Sequence, residues 1–135
     1  MVESEAVSAG PRMRVLVVDD SSLVRLYYRK ILEKWGFEVE QAINGIEAIE
    51  KVKAQAFNLV IVDVNMPKMD GLSFLRALRR SDPSVATVPA LVITTESSEY
   101  DLDDARIAGA NFYLVKPVSE SNLLRHAAVL TGAAK

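Results

Sequence analysis

Five short apolar runs divide the chain from residue 13 onward. The first and the third are almost continuous valine, leucine and isoleucine, which is typical of central strands in a parallel sheet buried on both faces. The second run is more polar and indicates a strand at the sheet edge. The predicted strands span residues 14–18, 37–42, 59–62, 90–93 and 111–115.

A segment with apolar residues at helical spacing follows each predicted strand. In the first helix, Leu23, Tyr27, Ile31 and Trp35 recur at intervals of four and predict a buried stripe, and Gly36 ends the helix. This (βα)5 pattern predicts a doubly wound α/β fold, a parallel five-stranded sheet with helices on both faces. The third helix is predicted at residues 71–80, where Asp82-Pro83 stops it, and the fourth at residues 100–108, and Ser119 caps the fifth. The other predicted inward positions are Ile46, Ile49, Val52 and Ala56 in the second helix, Leu72, Leu75 and Leu78 in the third, and Leu123, Leu124 and Ala127 in the fifth.

Acidic residues follow two of the apolar strands directly. Asp19 and Asp20 follow the first strand, and Asp63 follows the third. The carboxyl ends of parallel strands form the crevice where open α/β sheets bind ligands. Three carboxylates there repel one another unless a cation neutralises them, and hard divalent cations take carboxylate oxygens. The sequence therefore predicts a site for Mg²⁺ at this edge.

Two further polar residues end strands at the same predicted edge. Thr94 ends the fourth strand and offers a hydroxyl to a phosphoryl oxygen. Lys116 ends the fifth and brings a cation to pair with Asp63 or phosphate. Each of these residues, taken alone, has a simpler explanation. The threonine could reflect β-propensity, the lysine could be an ordinary solvated side chain, and Asp63 could cap a helix or stabilise a turn. Together they favour an Asp63 nucleophile that forms an aspartyl phosphate.

Composition narrows the class of protein. The chain has 135 residues, half of them hydrophobic, and a formal net charge of −2. That size predicts one domain, from residue 13 to residue 135, after a polar, aperiodic segment 1–12 that we expect to be disordered. The near-neutral charge argues against a nucleic-acid partner. Without cysteine, a signal peptide or a long apolar stretch, we expect a monomeric cytoplasmic protein with no membrane insertion.

The motif set resembles the response-regulator receiver domain of two-component signalling and, within it, the single-domain chemotaxis regulators of CheY-like type. The resemblance covers about residues 13–130. It rests on Asp19-Asp20, on the segment Asp63-x-Asn65-Met66-Pro67-x-Met69-Asp70-Gly71, on Thr94, and on Lys116-Pro117. It implies a flavodoxin-like sheet with strand order 2-1-3-4-5. Pro117 also suggests a fixed turn at a possible cis bond.

The resemblance also implies roles for these residues. Asp20, Asp63 and the backbone carbonyl of Asn65 would hold Mg²⁺, with Asp19 acting through bound water. Asp63 would accept a phosphoryl group from a histidine kinase or phosphotransfer protein while Lys116 neutralises its charge. The remaining residues with an implied role are Thr94 and Tyr113, the switch pair, and Asn65, Thr95 and Glu96, which flank the site and set the phosphoryl lifetime.

The sequence departs from the family pattern at two places, and its single histidine and the three arginines of the third predicted helix are given no role in the site. Thr95 stands where the family prefers a smaller residue, and the fourth helix region is acidic, so details of partners do not transfer from relatives with a basic surface. His126, the only histidine, is expected on the last helix as a residue at the surface or at the boundary between surface and core. Arg76, Arg79 and Arg80 are expected to form a solvated face near a helix C-terminus.

Three functions are compatible with this pattern. The first is a phosphorylation-controlled switch that binds a downstream target protein, in chemotaxis, and that is not an enzyme beyond its own phosphorylation and dephosphorylation. We expect no output domain after the fifth helix. The second is a phosphate shuttle or sink in a phosphorelay. The third, an aspartyl-phosphate hydrolase of haloacid-dehalogenase type, is less favoured, because Asn65 occupies the position where such enzymes use a second acid.

Overall fold

The computed structural model describes residues 12–96 and 98–133. Except for Arg12, the segment 1–12 that was predicted to be disordered lies outside the described residues. Five parallel strands form one sheet in the order β2-β1-β3-β4-β5, which confirms the predicted fold and strand order. The strands are β1 (Arg14–Val18), β2 (Glu38–Ala42), β3 (Leu59–Val62), β4 (Ala90–Thr94) and β5 (Phe112–Val115).

The predicted helices are present, and a further short one follows Pro83. Pro83 stops the third helix, as predicted, but it also begins α4, because its fixed φ and missing N–H suit the first turn of a helix. Ser119 caps the last helix as predicted, accepting a hydrogen bond from the backbone N–H of Asn122. The helices are α1 (Ser22–Lys34), α2 (Gly45–Ala54), α3 (Gly71–Arg79), α4 (Pro83–Ala86), α5 (Glu99–Ala108) and α6 (Glu120–Thr131).

The sheet separates two apolar cores because side chains alternate along each strand. Leu16 and Val18 of β1 face a core formed with α2, α3 and α5. Val15 and Val17 face the opposite core, formed with α1 and α6. Helices therefore cover both faces, as the doubly wound prediction required. No helix in the described part of the chain is long and apolar enough to cross a bilayer.

The predicted stripe of α1 was right at Ile31 and wrong at its other three positions. Leu23 is 77% exposed and Trp35 57% exposed, whereas Tyr28, Ile31 and Leu32 are buried. Apolar residues lie on more than one side of α1, so spacing alone does not select the side that packs on the sheet. In α2, Val52 is buried as predicted, but Ile46 and Ala56 are exposed and the buried Ala48 was not noticed. In α3, the prediction is confirmed at Leu75 and Leu78, and only the buried Phe74 was not noticed.

The expectation of a solvated arginine face was wrong for Arg79. Its guanidinium is partly buried and donates to the backbone carbonyls of Gly109, Ala86 and Val88 and to Asn111 Oδ1. Burial lowers the pKa of Arg79. Arg79 thereby joins the end of α3, the segment after α4 and the end of α5. Arg76 and Arg80 are exposed, as predicted.

Candidate functional site

The three acids predicted from the sequence meet at one edge of the sheet. Asp19 follows β1 and Asp63 follows β3, and these two neighbouring strands end in register at Val18 and Val62. Asp19 and Asp63 are buried and Asp20 is exposed, and one carboxylate oxygen from each lies within 4.8 Å of the other two. Such a set of close carboxylate oxygens fits a hard divalent cation.

Lys116 lies between the two buried acids. Its Nζ is 3.0 Å from Asp19 Oδ2 and 3.2 Å from Asp63 Oδ2. Burial opposes the charged form of Lys116, but the two carboxylates outweigh it and raise the pKa of the lysine. Its backbone N–H donates to the Thr94 carbonyl at 2.8 Å, and the Lys116–Pro117 peptide bond is cis, as the sequence suggested. The lysine therefore reaches the acids from a fixed strand end.

Asp19 is held in place by hydrogen bonds although burial disfavours its charge. Burial raises the pKa of Asp19, against the opposing effects of the Ser21 N–H, which donates to Asp19 Oδ1 at 2.9 Å, and of Lys116. The ionised carboxylate is thus only partly compensated by the protein. A cation at this edge would supply the missing positive charge.

Thr94 ends β4 at the same edge of the sheet as the acids. The threonine is buried, and its Oγ1 has no hydrogen-bond partner within residues 12–96 and 98–133. A buried hydroxyl without a partner is costly, so such a group in a native structure commonly marks a place for a ligand. A phosphoryl oxygen would satisfy it. The carboxylate cluster and this hydroxyl together fit both the cation and the phosphoryl group that the sequence predicted.

The loop from β3 to α3 holds Asp63 through close backbone packing. Gly71 N–H donates to the Val64 carbonyl at 2.9 Å, and Gly45 N–H donates to the Met69 carbonyl at 3.0 Å. A Cβ on residue 71 would lie 2.2 Å from the Asp63 carbonyl oxygen. Gly71 is therefore required by the approach of two backbone segments, and the loop is anchored at both ends.

The predicted flanking and switch residues are connected to one another. The Asn65 side-chain amide donates to Glu96 Oε2 at 2.8 Å, and the Tyr113 hydroxyl donates to the Glu96 backbone carbonyl. Burial, followed by the charges of Asp101, Glu96 and Asp63, raises the pKa of Tyr113 to about 12. Thr95 is exposed. Tyr113 is partly buried, and it lines a cavity of about 300 Å³ between α5 and β5.

Sequence reasoning missed two residues of α1 that hold the site loops. Arg25 Nη1 donates to the Asp19 carbonyl at 2.7 Å, and its Nε donates to Gln41 Oε1 at 2.9 Å. The Tyr27 hydroxyl donates to the Val118 carbonyl at 3.0 Å, two residues after Lys116. Arg25 is partly buried and Tyr27 is exposed, and the polar group that each carries in the first half of α1 was the available signal.

His126 lies outside this site. It is partly buried on α6, where its ring packs edge-on against Phe112 with centroids 4.9 Å apart. Its Nδ1 is 2.8 Å from the Asn122 carbonyl of the same helix. The prediction of a boundary position is confirmed.

The fold and the acidic edge define a flavodoxin-like α/β protein with a carboxylate site at the carboxyl ends of β1 and β3. The family model of the response regulator receiver domain matches residues 15–128. The chain therefore belongs to the receiver domains of two-component response regulators.

Known proteins of this family cover most of the chain. A gliding motility regulatory protein of Myxococcus xanthus is 41% identical over 108 residues, which are 80% of this chain and 14% of that protein. The transcriptional regulatory protein ZraR of Klebsiella oxytoca is 36% identical over 115 residues, 85% of this chain and 25% of that protein. The chain thus spans a quarter or less of the length of these relatives.

A solved structure shows the same architecture over its whole length. The chemotaxis protein CheY4 of Vibrio cholerae superimposes with a TM-score of 0.84 and 36% sequence identity. The match covers 89% of this chain and 99% of that one.

Proposed function

We propose that this receiver domain is a phosphorylation-controlled switch whose phosphoryl acceptor is Asp63. The observation that carries the proposal is the placement of Lys116 Nζ 3.2 Å from Asp63 Oδ2, at the sheet edge where the buried Thr94 hydroxyl has no hydrogen-bond partner among the described residues. A cation and a hydroxyl donor next to one strand-end carboxylate are suited to a phosphoryl group on that carboxylate.

Asp19, Asp20, Asp63 and the backbone carbonyl of Asn65 are the groups that would hold Mg²⁺. Their oxygens match the preference of this cation, and the close approach of the three carboxylates supports the assignment. The cation would neutralise the negative charge of the acceptor and of the incoming phosphoryl oxygens.

In the transfer step, a carboxylate oxygen of Asp63 forms a bond to phosphorus. The bond from phosphorus to the donor nitrogen of a phosphohistidine breaks, and the imidazole leaves with the electron pair of that bond. Lys116 stays protonated throughout and contacts a transferred oxygen, while the Thr94 hydroxyl donates a hydrogen bond to another. The donor is a histidine kinase or a phosphotransfer protein.

The output is a change of the surface around Thr94 and Tyr113 that a target protein recognises. Tyr113 is partly buried and bonded to the loop that follows Thr94, so movement of Thr94 toward a phosphoryl group would alter the tyrosine. Two relatives, a gliding motility regulatory protein and a chemotaxis protein, favour a target in motility or chemotaxis.

The flanking residues favour a short-lived phosphoryl group. Asn65 and Glu96 are polar and leave room for a hydrolytic water to approach the phosphoryl group. The extra bulk of Thr95 would hinder that approach. We expect the polar pair to dominate because the Thr95 side chain is exposed. Loss of label after removal of the donor should be faster in Thr95→Ala and slower in Glu96→Leu than in wild type. Persistence for hours in wild type would favour storage or relay.

The assignment of Asp63 is tested by mass spectrometry of the intact protein after incubation with acetyl phosphate and Mg²⁺. We expect one phosphoryl adduct, absent from Asp63→Ala and lost when Mg²⁺ is chelated. Asp82→Ala is the matched control, because Asp82 is an exposed acid whose side chain makes no cap hydrogen bond. Equal labelling of wild type and Asp63→Ala would reject the acceptor.

A phosphate shuttle or sink remains the second candidate, since the same site serves it. Capture of a partner by the phosphorylated form alone distinguishes the switch from the shuttle. Turnover of any phosphate monoester would instead support a hydrolase, which Asn65 opposes because an amide cannot exchange a proton with a leaving group. We further propose that the protein is monomeric and cytoplasmic and that it does not bind nucleic acid; its net charge of −2 supports the last of these.

A further inference from the structure

The segment that begins with Lys116 at the end of β5 is held from two sides. The Lys116 N–H donates to the Thr94 carbonyl at 2.8 Å, which fixes the lysine backbone to the end of β4. Two residues later, the Val118 carbonyl accepts a hydrogen bond of 3.0 Å from the hydroxyl of Tyr27, which lies on α1, 91 positions earlier in the chain. Lys116 therefore lies between one hydrogen bond within the sheet and one to a helix.

Tyr27 is suited to hold this segment from α1. Its side chain is 45% exposed, whereas its neighbour Tyr28 is buried in the same core as Val118. The rings of the two tyrosines are 5.8 Å apart. A tyrosine combines a rigid aromatic body with a polar end, so its hydroxyl can be held in place at a low cost in side-chain freedom. The buried Tyr28 fixes the rotation of α1, and Tyr27 thereby reaches Val118.

The ring of Tyr27 and the side chain of Lys116 line the same cavity. Together with Pro117 they border a largely apolar space of about 290 Å³. A lysine has a flexible stem and loses conformational freedom when its ammonium is held in one place. Because the cavity offers the ammonium little polar surface, the stem directs it to Asp19 and Asp63, whose Oδ2 atoms lie 3.0 and 3.2 Å from Nζ.

α1 also holds one of the acids that pair with the lysine. Arg25, two residues before Tyr27, donates from Nη1 to the Asp19 carbonyl at 2.7 Å. One helix therefore bonds to the backbone at Asp19 through Arg25 and to the backbone after Lys116 through Tyr27. The geometry of the ion pair depends on both side chains.

We propose that Tyr27 is a positioning residue for phosphoryl transfer, because its hydrogen bond to Val118 places the Lys116 ammonium against Asp63. This role rests on the proposed function, in which Lys116 neutralises the charge on the transferred oxygens. Without the hydroxyl, the segment 116–118 loses its bond to α1, and the ammonium lies at Asp63 for a smaller fraction of the time. A neutral hydrogen bond changes an equilibrium by about threefold to tenfold, so we expect transfer to slow by a similar factor.

The first test compares the labelling rates of Tyr27→Phe and Thr131→Val. Phenylalanine keeps the ring and removes only the hydroxyl. Thr131 Oγ1 donates to the Ala127 carbonyl at 2.7 Å near the end of α6, so valine there removes a bond of the same kind at a distance from the acids. With acetyl phosphate and Mg²⁺, the initial rate should fall about threefold to tenfold in Tyr27→Phe and match wild type in Thr131→Val. The rates are compared at a temperature at which urea denaturation shows both variants to be folded.

The second test reports the position of Lys116 without any transfer. In metal-free, unphosphorylated protein with labelled lysine, nuclear magnetic resonance resolves the Cε signals of the seven lysines, and Lys116→Arg identifies that of Lys116. Tyr27→Phe should move this signal toward those of the exposed Lys53 and Lys68, and Thr131→Val should leave it in place. In a Lys116→Ala background, Tyr27→Phe should slow labelling no further, because its effect acts through the lysine.

The outcomes separate this role from the proposed function. If wild type is not labelled, the acceptor function is wrong, and the Lys116 signal alone decides whether Tyr27 positions the lysine. An unmoved Lys116 signal, or equal labelling of Tyr27→Phe and wild type, rejects the positioning role and leaves Asp63 as the acceptor. A further loss of rate in the Lys116→Ala background also rejects it, because Tyr27 would then act by another route.

Discussion

Gly71 lies against Asp63 so closely that a Cβ on residue 71 would stand 2.2 Å from the Asp63 carbonyl oxygen. Gly71 also begins α3, and its N–H donates to the carbonyl of Val64. The backbone of Asp63, the proposed acceptor, thus packs directly against Gly71, the first residue of α3. The position of the Asp63 carboxylate depends on this contact.

Gly71→Ala should destabilise the protein and weaken phosphorylation. In an unconstrained helix, alanine would be favoured over glycine by up to about 1 kcal/mol. Here the clash is with backbone, which cannot move aside as a flexible side chain does, so we expect a loss of about 1–3 kcal/mol in the free energy of unfolding. Urea denaturation measures the stability, and the initial rate of labelling by acetyl phosphate measures the acceptor.

Gly132→Ala is the control for this prediction. Gly132 has a φ of +78°, and none of the described residues has an atom within 4 Å of its Cβ position, so alanine there costs about 1 kcal/mol of backbone strain, away from the site. Both variants should lose stability, but only Gly71→Ala should lose labelling rate. Equal labelling by the two would show that Gly71 does not position the acceptor.

Asp20→Asn should stabilise the metal-free protein and weaken Mg²⁺ binding. Lys116 pairs with Asp19 and Asp63, whereas Asp20 has no ion-pair partner in the part of the chain that the structure describes, so its charge repels the neighbouring carboxylates. We expect a melting temperature about 2–4 °C higher without Mg²⁺. Scanning calorimetry with chelator and then with Mg²⁺ measures both effects. An unchanged or lower melting temperature with affinity intact would contradict the cluster.

Arg79→Ala should lower the free energy of unfolding by more than is usual for an arginine near the end of a surface helix. The guanidinium satisfies three backbone carbonyls and Asn111 Oδ1, which would be left without these donors. We expect a loss of about 2–3 kcal/mol in the free energy of unfolding. Arg76→Ala, at an exposed position of the same helix, should change it by less than about 0.5 kcal/mol. Similar losses from both variants would contradict this bonding role.

Tyr113 should titrate at higher pH than an ordinary tyrosine. Burial and nearby acids raise its pKa from 10.0 to about 12, so the folded state keeps a proton that the unfolded state has lost. The stability that neutral Tyr113 contributes is complete below pH about 10 and disappears as pH rises toward about 12. The difference in tyrosinate absorbance between wild type and Tyr113→Phe measures this pKa. A midpoint near 10 would contradict the burial and charge environment.

The sequence was sufficient to predict the sheet, its edge strand and the set of acids, lysine and threonine. Runs of valine and isoleucine mark central strands, and the carboxyl ends of parallel strands must meet at one edge. The meeting of Asp19, Asp63 and Lys116 therefore followed from the order of elements. The strand order came from the family resemblance.

The side of each helix that packs on the sheet was less predictable. Leu23 and Tyr28 both lie at helical spacing with other apolar residues, and only contact with the sheet selects the second. Likewise, nothing in the sequence around Arg79 reveals that the end of α5 lies within reach of its guanidinium. The Asn65–Glu96 bond joins residues 31 positions apart, so it too required the fold.

The most direct test of the central claim is chemical mapping of the acceptor. Protein labelled with acetyl phosphate and Mg²⁺ is treated with borohydride, which reduces an acyl phosphate to a primary alcohol, and its peptides are sequenced by mass spectrometry. We predict homoserine at position 63, with aspartate retained at positions 19 and 20. Homoserine at either of those positions, or a labelled protein with no reduced residue, would contradict the account.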